Sequence, residues 1–212
     1  MKYKLQFILI LCICVIGCSS KNDSITATNT ENNSIRLTSG CSISKVLKEN
    51  NNVHVVYLES GLYDITAELL FGTYNIVGVG DNVNLIADND QGGGLSIQGA
   101  NLTMSGIKDF FSTGGSSPLI TIASGYLEIH FIKMQSNYDA VVWILGGVTK
   151  LYGDTLISSD DNAIIGHGGA YGTMYMYIKN IVAKGICRGT ITNGGDLGEP
   201  SNLFYLGRKL KL

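Results

Sequence analysis

Short apolar runs recur along this chain at a nearly constant interval of 22 to 25 residues. One row of alternating positions steps by 25, 22 and 25 residues through Leu102/Met104, Leu127/Ile129, Thr149/Leu151 and Met174/Met176. A second row lies just ahead of it, at Leu95/Ile97, Ile120/Ile122, Val142/Ile144 and Ile165/His167. Equal spacing is what a solenoid requires, because each coil must place its inward side chains against those of the previous coil. The two rows therefore predict stacked parallel coils.

The rest of the domain agrees with an all-β class. From Val53 onward, brief Val, Ile, Leu and Tyr runs are separated by Gly, Asn, Asp and Ser, and none has the length or period of a helix. Before that point Ile43, Val46 and Leu47 occur at i, i+3 and i+4, with serines available as an N-cap. This spacing predicts one short amphipathic helix. A sandwich or barrel remains the alternative fold, since short strands alone are compatible with either.

The N-terminus has the pattern of an export signal. Lys2 and Lys4 precede an uncharged apolar run that reaches Ile16 and is shorter than the roughly 20 residues of a membrane span. Val15-Ile16-Gly17-Cys18 resembles the lipobox of bacterial lipoproteins, which implies that Cys18 is acylated and becomes the new N-terminus. The alternative is a buried N-terminal helix of a soluble protein, but such helices carry a polar face. No second apolar span follows, so the lipid would be the membrane attachment.

These signals divide the chain into five predicted parts. They are a signal peptide at 1–17, a flexible tether from lipidated Cys18 over 18–40, a capping helix within 41–52, a parallel β-helix over 53–197 and a C-terminal tail over 198–212. The tether prediction rests on the Ser, Asn, Thr, Lys, Asp and Glu content of its residues. Three cysteines fall at the signal, and Cys41 and Cys187 would lie several coils apart, beyond disulfide reach. Both are predicted to be free thiols.

Charge excludes one class of partner. The formal net charge is −2, and it becomes −4 once Lys2 and Lys4 leave with the signal, so nucleic acid is not an expected partner. Charged residues make up only 15% and the chain has 2 prolines, which excludes the charged and the Pro-rich disordered classes. The sequence predicts a folded domain in the cell envelope, attached by lipid to the periplasmic face of a membrane or to the cell surface.

Three segments resemble the pectin-lyase-like right-handed β-helix superfamily: Gly61-Leu62-Tyr63-Asp64-Ile65, Tyr74-Asn75-Ile76-Val77-Gly78-Val79-Gly80, and 95–107. The resemblance covers Val53 to Gly195 and implies a right-handed parallel β-helix of about six coils, with the short helix as an N-terminal cap. The superfamily includes pectate lyases, polygalacturonases, alginate and chondroitin lyases, phage tailspikes and noncatalytic surface proteins. Membership would therefore imply a fold without choosing a function.

One segment resembles two polygalacturonase motifs, a paired-aspartate element and a Gly-His-Gly element. It supplies Asp160, Asp161 and His167 as candidate catalytic residues, since glycoside hydrolysis uses paired carboxylates. In that family the two motifs lie about a coil apart, whereas five residues separate Asp161 from His167 here. The family's upstream aspartate and downstream Arg-Ile-Lys elements have no counterpart. The favoured alternative is a polar turn followed by an inward-facing histidine.

A lyase would need a cation, commonly calcium in this superfamily, and a nearby basic residue. The candidate ligands are Asp81, Asp88 and Asp90, with Lys108 or Lys133 as the base. Aspartates of Gly/Asn-rich turns are more often simply solvated, and this is the favoured interpretation. No cofactor is predicted unless the protein is a lyase.

The outward positions of the first row predict a continuous polar and aromatic face. They read Ser105, His130, Tyr152 and Tyr177 beside Thr103, Glu128, Lys150 and Tyr175, with Trp143 outward in the neighbouring row. Aromatic rings among polar groups can contact sugars, so the expected ligand-binding residues are Trp143, Tyr152, Tyr175, Tyr177 and His130. Exposed tyrosines are also ordinary β-sheet residues. The function predicted is polysaccharide binding or surface structure, and the alternative is a polysaccharide lyase or glycoside hydrolase acting on uronate-containing polymers.

Overall fold

Alternating apolar and polar residues produce strands whose apolar side chains all point to one side, and here that side is the interior of a solenoid. In the computed structural model of the protein, residues 28–30, 33–50, 52–88, 94–114, 117–137, 140–158, 165–183, 191–193, 202–205 and 209–211 are described. They form a parallel β-solenoid of about five turns with one short helix near its N-terminal end. The predicted all-β parallel solenoid is thereby confirmed, and its handedness stays a prediction.

The strands are short in the first turns and long in the later ones. In chain order the elements are β1 Thr28–Thr30, β2 Ser34–Leu37, α1 Ile43–Glu49, β3 Val55–Leu58, β4 Gly61–Asp64, β5 Ala67–Leu69, β6 Thr73–Gly78, β7 Val83–Ala87, β8 Leu95–Ser112, β9 Ile120–Ser136, β10 Val142–Ser158, β11 Ile165–Ala183, β12 Ile191–Asn193, β13 Asn202–Tyr205 and β14 Lys209–Lys211.

Each long strand contributes to three faces of the solenoid. In β9 the residues 120–122 pair on a leading face, 126–131 on a middle face and 133–136 on a trailing face. The middle face also contains β2, β3, β6 and β13, the trailing face contains β4, β7 and β14, and the leading face contains β5 and β12. All these pairs are parallel, and among the described strands only β1 runs antiparallel to its partner, β2.

The register stacks the two predicted rows as the repeat required. On the middle face Met104, Ile129, Leu151 and Met176 are successive partners, and on the leading face Leu95, Ile120, Val142 and Ile165 are. The four middle-face side chains are fully buried. The core is therefore a set of columns running along the solenoid axis, and the residues between them in sequence point outward.

The helix lies within the first turn. Ser42 caps it, since its hydroxyl accepts from the Lys45 backbone N–H at 3.4 Å. The helix follows a bridge between Ser42 and Asp64 on the trailing face and precedes β3 on the middle face. In later turns a strand of the leading face occupies the position that the helix has here. Its apolar residues Ile43, Val46 and Leu47 are buried in the core.

The solenoid extends beyond both predicted limits. The segment 18–40 was predicted to be a tether, yet β2 pairs with β3. Its Ile35 and Leu37 are buried, and Arg36 between them is exposed. The predicted tail 198–212 contributes β13 and β14, which pair with β11. Between residues 184 and 197, at the end of the predicted β-helix, only β12 is described. The solenoid has about five turns, whereas about six were predicted.

The prediction that Cys41 is a free thiol is wrong. Cys41 is buried and disulfide-bonded, and its partner lies outside the described residues, as does Cys187. The free-thiol prediction assumed that Cys187 is beyond disulfide reach and that the three N-terminal cysteines are unavailable, and the disulfide contradicts at least one of these assumptions. In the described part of the chain, no helix has the length and apolar character needed to cross a membrane.

Candidate functional site

Three rings form a stack along the outside of the middle face. Register places His130 beside Tyr152 and Tyr152 beside Tyr177 on successive turns. The ring centroids of His130 and Tyr152 are 4.5 Å apart at 10°, and those of Tyr152 and Tyr177 are 4.7 Å apart at 2°. These distances match the strand spacing of roughly 4.8 Å, so parallel pairing brings the rings into face-to-face contact. We call these three residues the ring stack.

The ring stack limits which part of the Tyr152 ring a sugar could contact. Both faces of the Tyr152 ring are covered, one by His130 and the other by Tyr177. Sugar rings that pack on aromatic residues use the ring face, and here the edges of Tyr152 are what remain accessible. Tyr177 is 39% exposed. At Tyr152 the ring stack therefore offers ring edges and a hydroxyl group to a ligand instead of an open ring face.

A polar cluster lies directly beside the ring stack and is centred on Glu128. The Tyr126 hydroxyl donates to Glu128 Oε2, and His130 Nε2 lies 3.0 Å from Glu128 Oε1. From the next turn, Lys150 Nζ lies 3.8 Å from Glu128 Oε2 and 5.4 Å from the centre of the Tyr126 ring. We call Tyr126, Glu128, His130 and Lys150 the Glu128 cluster.

These contacts change the proton affinities of the cluster. The hydrogen bonds from Tyr126 and His130 lower the pKa of Glu128, so its carboxylate stays ionised at lower pH than usual. Burial and then the hydrogen bond to Glu128 raise the pKa of Tyr126. The contact with Tyr126 raises the pKa of Lys150. At neutral pH the face therefore presents an ionised carboxylate, an ammonium group and a phenol held in fixed positions.

The other predicted ligand-binding residues are placed as follows. Tyr175 lies on the middle face beside Lys150, whereas Trp143 lies on the leading face between Thr121 and Gly166. Tyr175 and Trp143 are both half-buried. The structure thus brings Tyr152, Tyr175, Tyr177 and His130 onto one face and leaves Trp143 on another.

A depression of about 360 Å³ adjoins the His130 end of the ring stack. Its lining includes Asp81, Lys108, His130 and the exposed Ile132. Lys108 Nζ donates to Asn82 Oδ1 at 2.8 Å. Because the Asn82 amide is neutral, this hydrogen bond does not neutralise the charge of Lys108. Asp81 and Lys108 are predicted residues of a lyase site, and His130 is a predicted residue of the binding face. The structure brings all three to one depression.

The predicted calcium ligands do not share one turn. Asp81 precedes strand β7 and Asp88 follows it, so a strand of five residues, about 17 Å long, lies between them. Asp90 lies outside the described residues. Within the described ranges, no group of three or more His, Cys, Asp and Glu side chains is arranged to hold a metal ion.

The candidate catalytic segment is described only in part. Asp160 and Asp161 lie outside the described residues, and His167 belongs to β11, where its backbone pairs with Ile144 and Asn193. One member of the Glu128 cluster was missed: Tyr126 has the same outward parity as Glu128 and His130. Extending the outward row by two residues would have found it.

Comparisons with known proteins found no matching protein-family model, no similar curated protein and no similar solved structure. The resemblances to the pectin-lyase-like superfamily and to the lipobox stay predictions.

Proposed function

We propose that this is a lipid-anchored protein of the cell envelope that binds a polysaccharide through the middle face. The observation that carries the proposal is the Glu128 cluster, which fixes a carboxylate, an ammonium group, an imidazole and a phenol beside the ring stack. The site spans neighbouring turns of one face, so it suits an extended ligand better than a small enclosed one.

The chemistry of the cluster fits a polymer rich in hydroxyl groups. Sugar hydroxyls donate to a carboxylate and accept from an ammonium group, and hydrogen bonds to charged groups contribute roughly 1.5–3 kcal/mol. The side chains hold one another in place across the turns. Little side-chain freedom would be lost on binding, which favours affinity.

The anchor rests on the lipobox-like sequence that ends at Cys18. A thioether-linked lipid and a disulfide cannot share one sulfur atom, and Cys41 has a disulfide partner outside the described residues. Cys12 and Cys14 would leave with the signal. The proposal therefore requires the partner of Cys41 in the mature protein to be Cys187, or requires Cys18 to pair only in molecules that lack lipid. Mass spectrometry of unreduced peptides identifies the partner.

Affinity electrophoresis through gels containing polygalacturonate, alginate or a neutral glucan tests the binding face. We expect at least one polymer to retard the wild-type protein, and the Glu128→Gln/Lys150→Gln double variant to bind at least tenfold more weakly. Removing two charge-assisted hydrogen bonds accounts for a loss of this size.

The trailing face provides a matched control. Lys133 Nζ lies 3.5 Å from Asp109 Oδ1 across neighbouring turns, which is the same kind of carboxylate–lysine pair. The Asp109→Asn/Lys133→Gln variant should bind as the wild type does, and exposed pairs of this kind contribute only about 0–1 kcal/mol to stability. Equal weakening in both variants, or no retardation by any polymer, would refute the proposed face.

A polysaccharide lyase is the second candidate, because Asp81, Lys108 and His130 line one depression. The test is to incubate the protein with uronate polymers and calcium and follow the absorbance of unsaturated ends. A lyase using this depression should lose activity on Lys108→Ala. Release of reducing ends without unsaturated ends, lost on Asp160→Asn or Asp161→Asn, would instead indicate a hydrolase.

A further inference from the structure

The turn between β5 and β6 exposes two adjacent large apolar side chains. Leu70 is 49% exposed and Phe71 is 76% exposed, the highest value among the large apolar residues whose side chains are described. Four of the seven large apolar side chains exposed in that set lie between 62 and 79, in the early turns of the solenoid. The exposed apolar surface is therefore concentrated near the N-terminal end.

Local contacts hold this turn in its exposed position. The Tyr74 hydroxyl donates to the Phe71 carbonyl at 2.8 Å. The Phe71 ring packs so close to Gly99 that a Cβ there would lie 3.2 Å from two ring carbons. Gly72 has a φ of +107°, a conformation that other residues rarely adopt. The apolar side chains are thus displayed by a fixed turn.

An apolar depression of about 360 Å³ adjoins the turn. Leu47 of α1 and Leu69, Leu70 and Phe71 line it, and Lys48 and Glu68 contribute polar groups to the lining. Opposite charges there give no preference for an anionic or a cationic partner. Apolar contact is the property that this surface offers.

We propose that the Leu70–Phe71 turn enters the interfacial layer of the membrane that holds the lipid at Cys18, an inference that rests on the proposed anchor. Nine residues separate Cys18 from β1, which pairs with β2 in the first turn. Nine residues span at most about 30 Å and have a root-mean-square length of about 17 Å when flexible. The turn precedes β6, only two strand spacings from β2, or about 10 Å.

A tether of this length keeps the Leu70–Phe71 turn close to the membrane, so the effective concentration of the turn at the membrane surface is high. Short flexible linkers produce effective concentrations in the millimolar range, so a weak apolar contact is sufficient for occupancy. Stable membrane attachment commonly combines a lipid with a second signal. The Leu70–Phe71 turn would be that second signal, and it would orient the solenoid with its N-terminal end toward the bilayer.

The test uses the full-length lipidated protein in phosphatidylcholine vesicles with brominated acyl chains, which quench tryptophan by contact. The variant Phe71→Trp reports on the turn, and Ile132→Trp is the matched control, because Ile132 is also 54% exposed but lies farther along the solenoid. The native Trp143 is measured in the wild-type protein and subtracted. We expect at least twofold stronger quenching for Phe71→Trp than for Ile132→Trp.

Vesicle flotation tests the lipid anchor at Cys18 separately from the membrane contact of the Leu70–Phe71 turn. Flotation with equal or absent quenching in both variants would overturn the membrane contact of the turn and leave the anchor intact. Absence of flotation would overturn the anchor and this inference together. A blue-shifted Phe71→Trp emission that depends on protein concentration without vesicles would identify a second copy of the chain as the occupant, and would also overturn the inference.

Discussion

Replacing Gly125 with alanine should lower the free energy of unfolding by about 3 kcal/mol, the size expected when a strained backbone and a steric clash coincide. Gly125 has a φ of +97° at the corner between the leading and middle faces. A Cβ there would lie 2.2 Å from the Ala100 carbonyl oxygen of the previous turn. The next turn repeats the arrangement at Gly147, whose Cβ would lie 2.5 Å from the Gly125 carbonyl oxygen.

Urea unfolding followed by circular dichroism measures this effect, with Ser124→Ala as the control. Ser124 is the exposed neighbour of Gly125 in the same strand, so its substitution should change the free energy of unfolding by less than about 0.5 kcal/mol. An unchanged unfolding midpoint for Gly125→Ala would mean that the turns do not approach each other closely at this corner.

Replacing Cys18 with alanine should abolish lipid attachment and release the domain from the membrane. The lipid is proposed to be the main attachment, and an apolar contact at the Leu70–Phe71 turn alone would be too weak to retain the protein. The uncleaved signal would not replace the lipid, because its apolar run is shorter than the roughly 20 residues of a span. We expect complete loss of incorporated radioactive palmitate and loss of most membrane-bound protein after cell fractionation.

Cys14→Ala is the matched control for this experiment, since Cys14 lies four residues earlier in the apolar run. It should retain both the label and the membrane-bound fraction. Label that persists in Cys18→Ala would place the lipid elsewhere or refute the lipoprotein assignment.

The repeat made the solenoid predictable, because inward columns constrain residue type at fixed steps. The repeat places Leu102, Leu127, Thr149 and Met174 in one row, and they are successive partners in the structure. The outward residues follow from the same parity, so the ring stack was predictable as a shared face. Its ring orientation was not, since parity fixes the side of a sheet but not side-chain rotation.

Features that depend on distant or weakly patterned residues escaped prediction. Strand β2 was not predicted because Ile35 and Leu37 are only two apolar residues in a polar segment. Their burial depends on the pairing of β2 with β3. The convergence of Asp81, Lys108 and His130 also escaped, since it depends on how three turns align at a corner. The Cys41 disulfide also escaped, since its partner lies outside the described residues and no local pattern identifies it.

Hydroxyl-radical footprinting in the presence of the most strongly retarding polysaccharide tests the central claim most directly. The proposed face predicts reduced oxidation of His130, Tyr152 and Tyr177, with Trp143 and Phe71 unchanged. A non-binding glucan at the same concentration controls for radicals consumed by the sugar. Unchanged oxidation of the ring stack, or protection confined to Trp143, would contradict the assignment of the middle face as the binding surface.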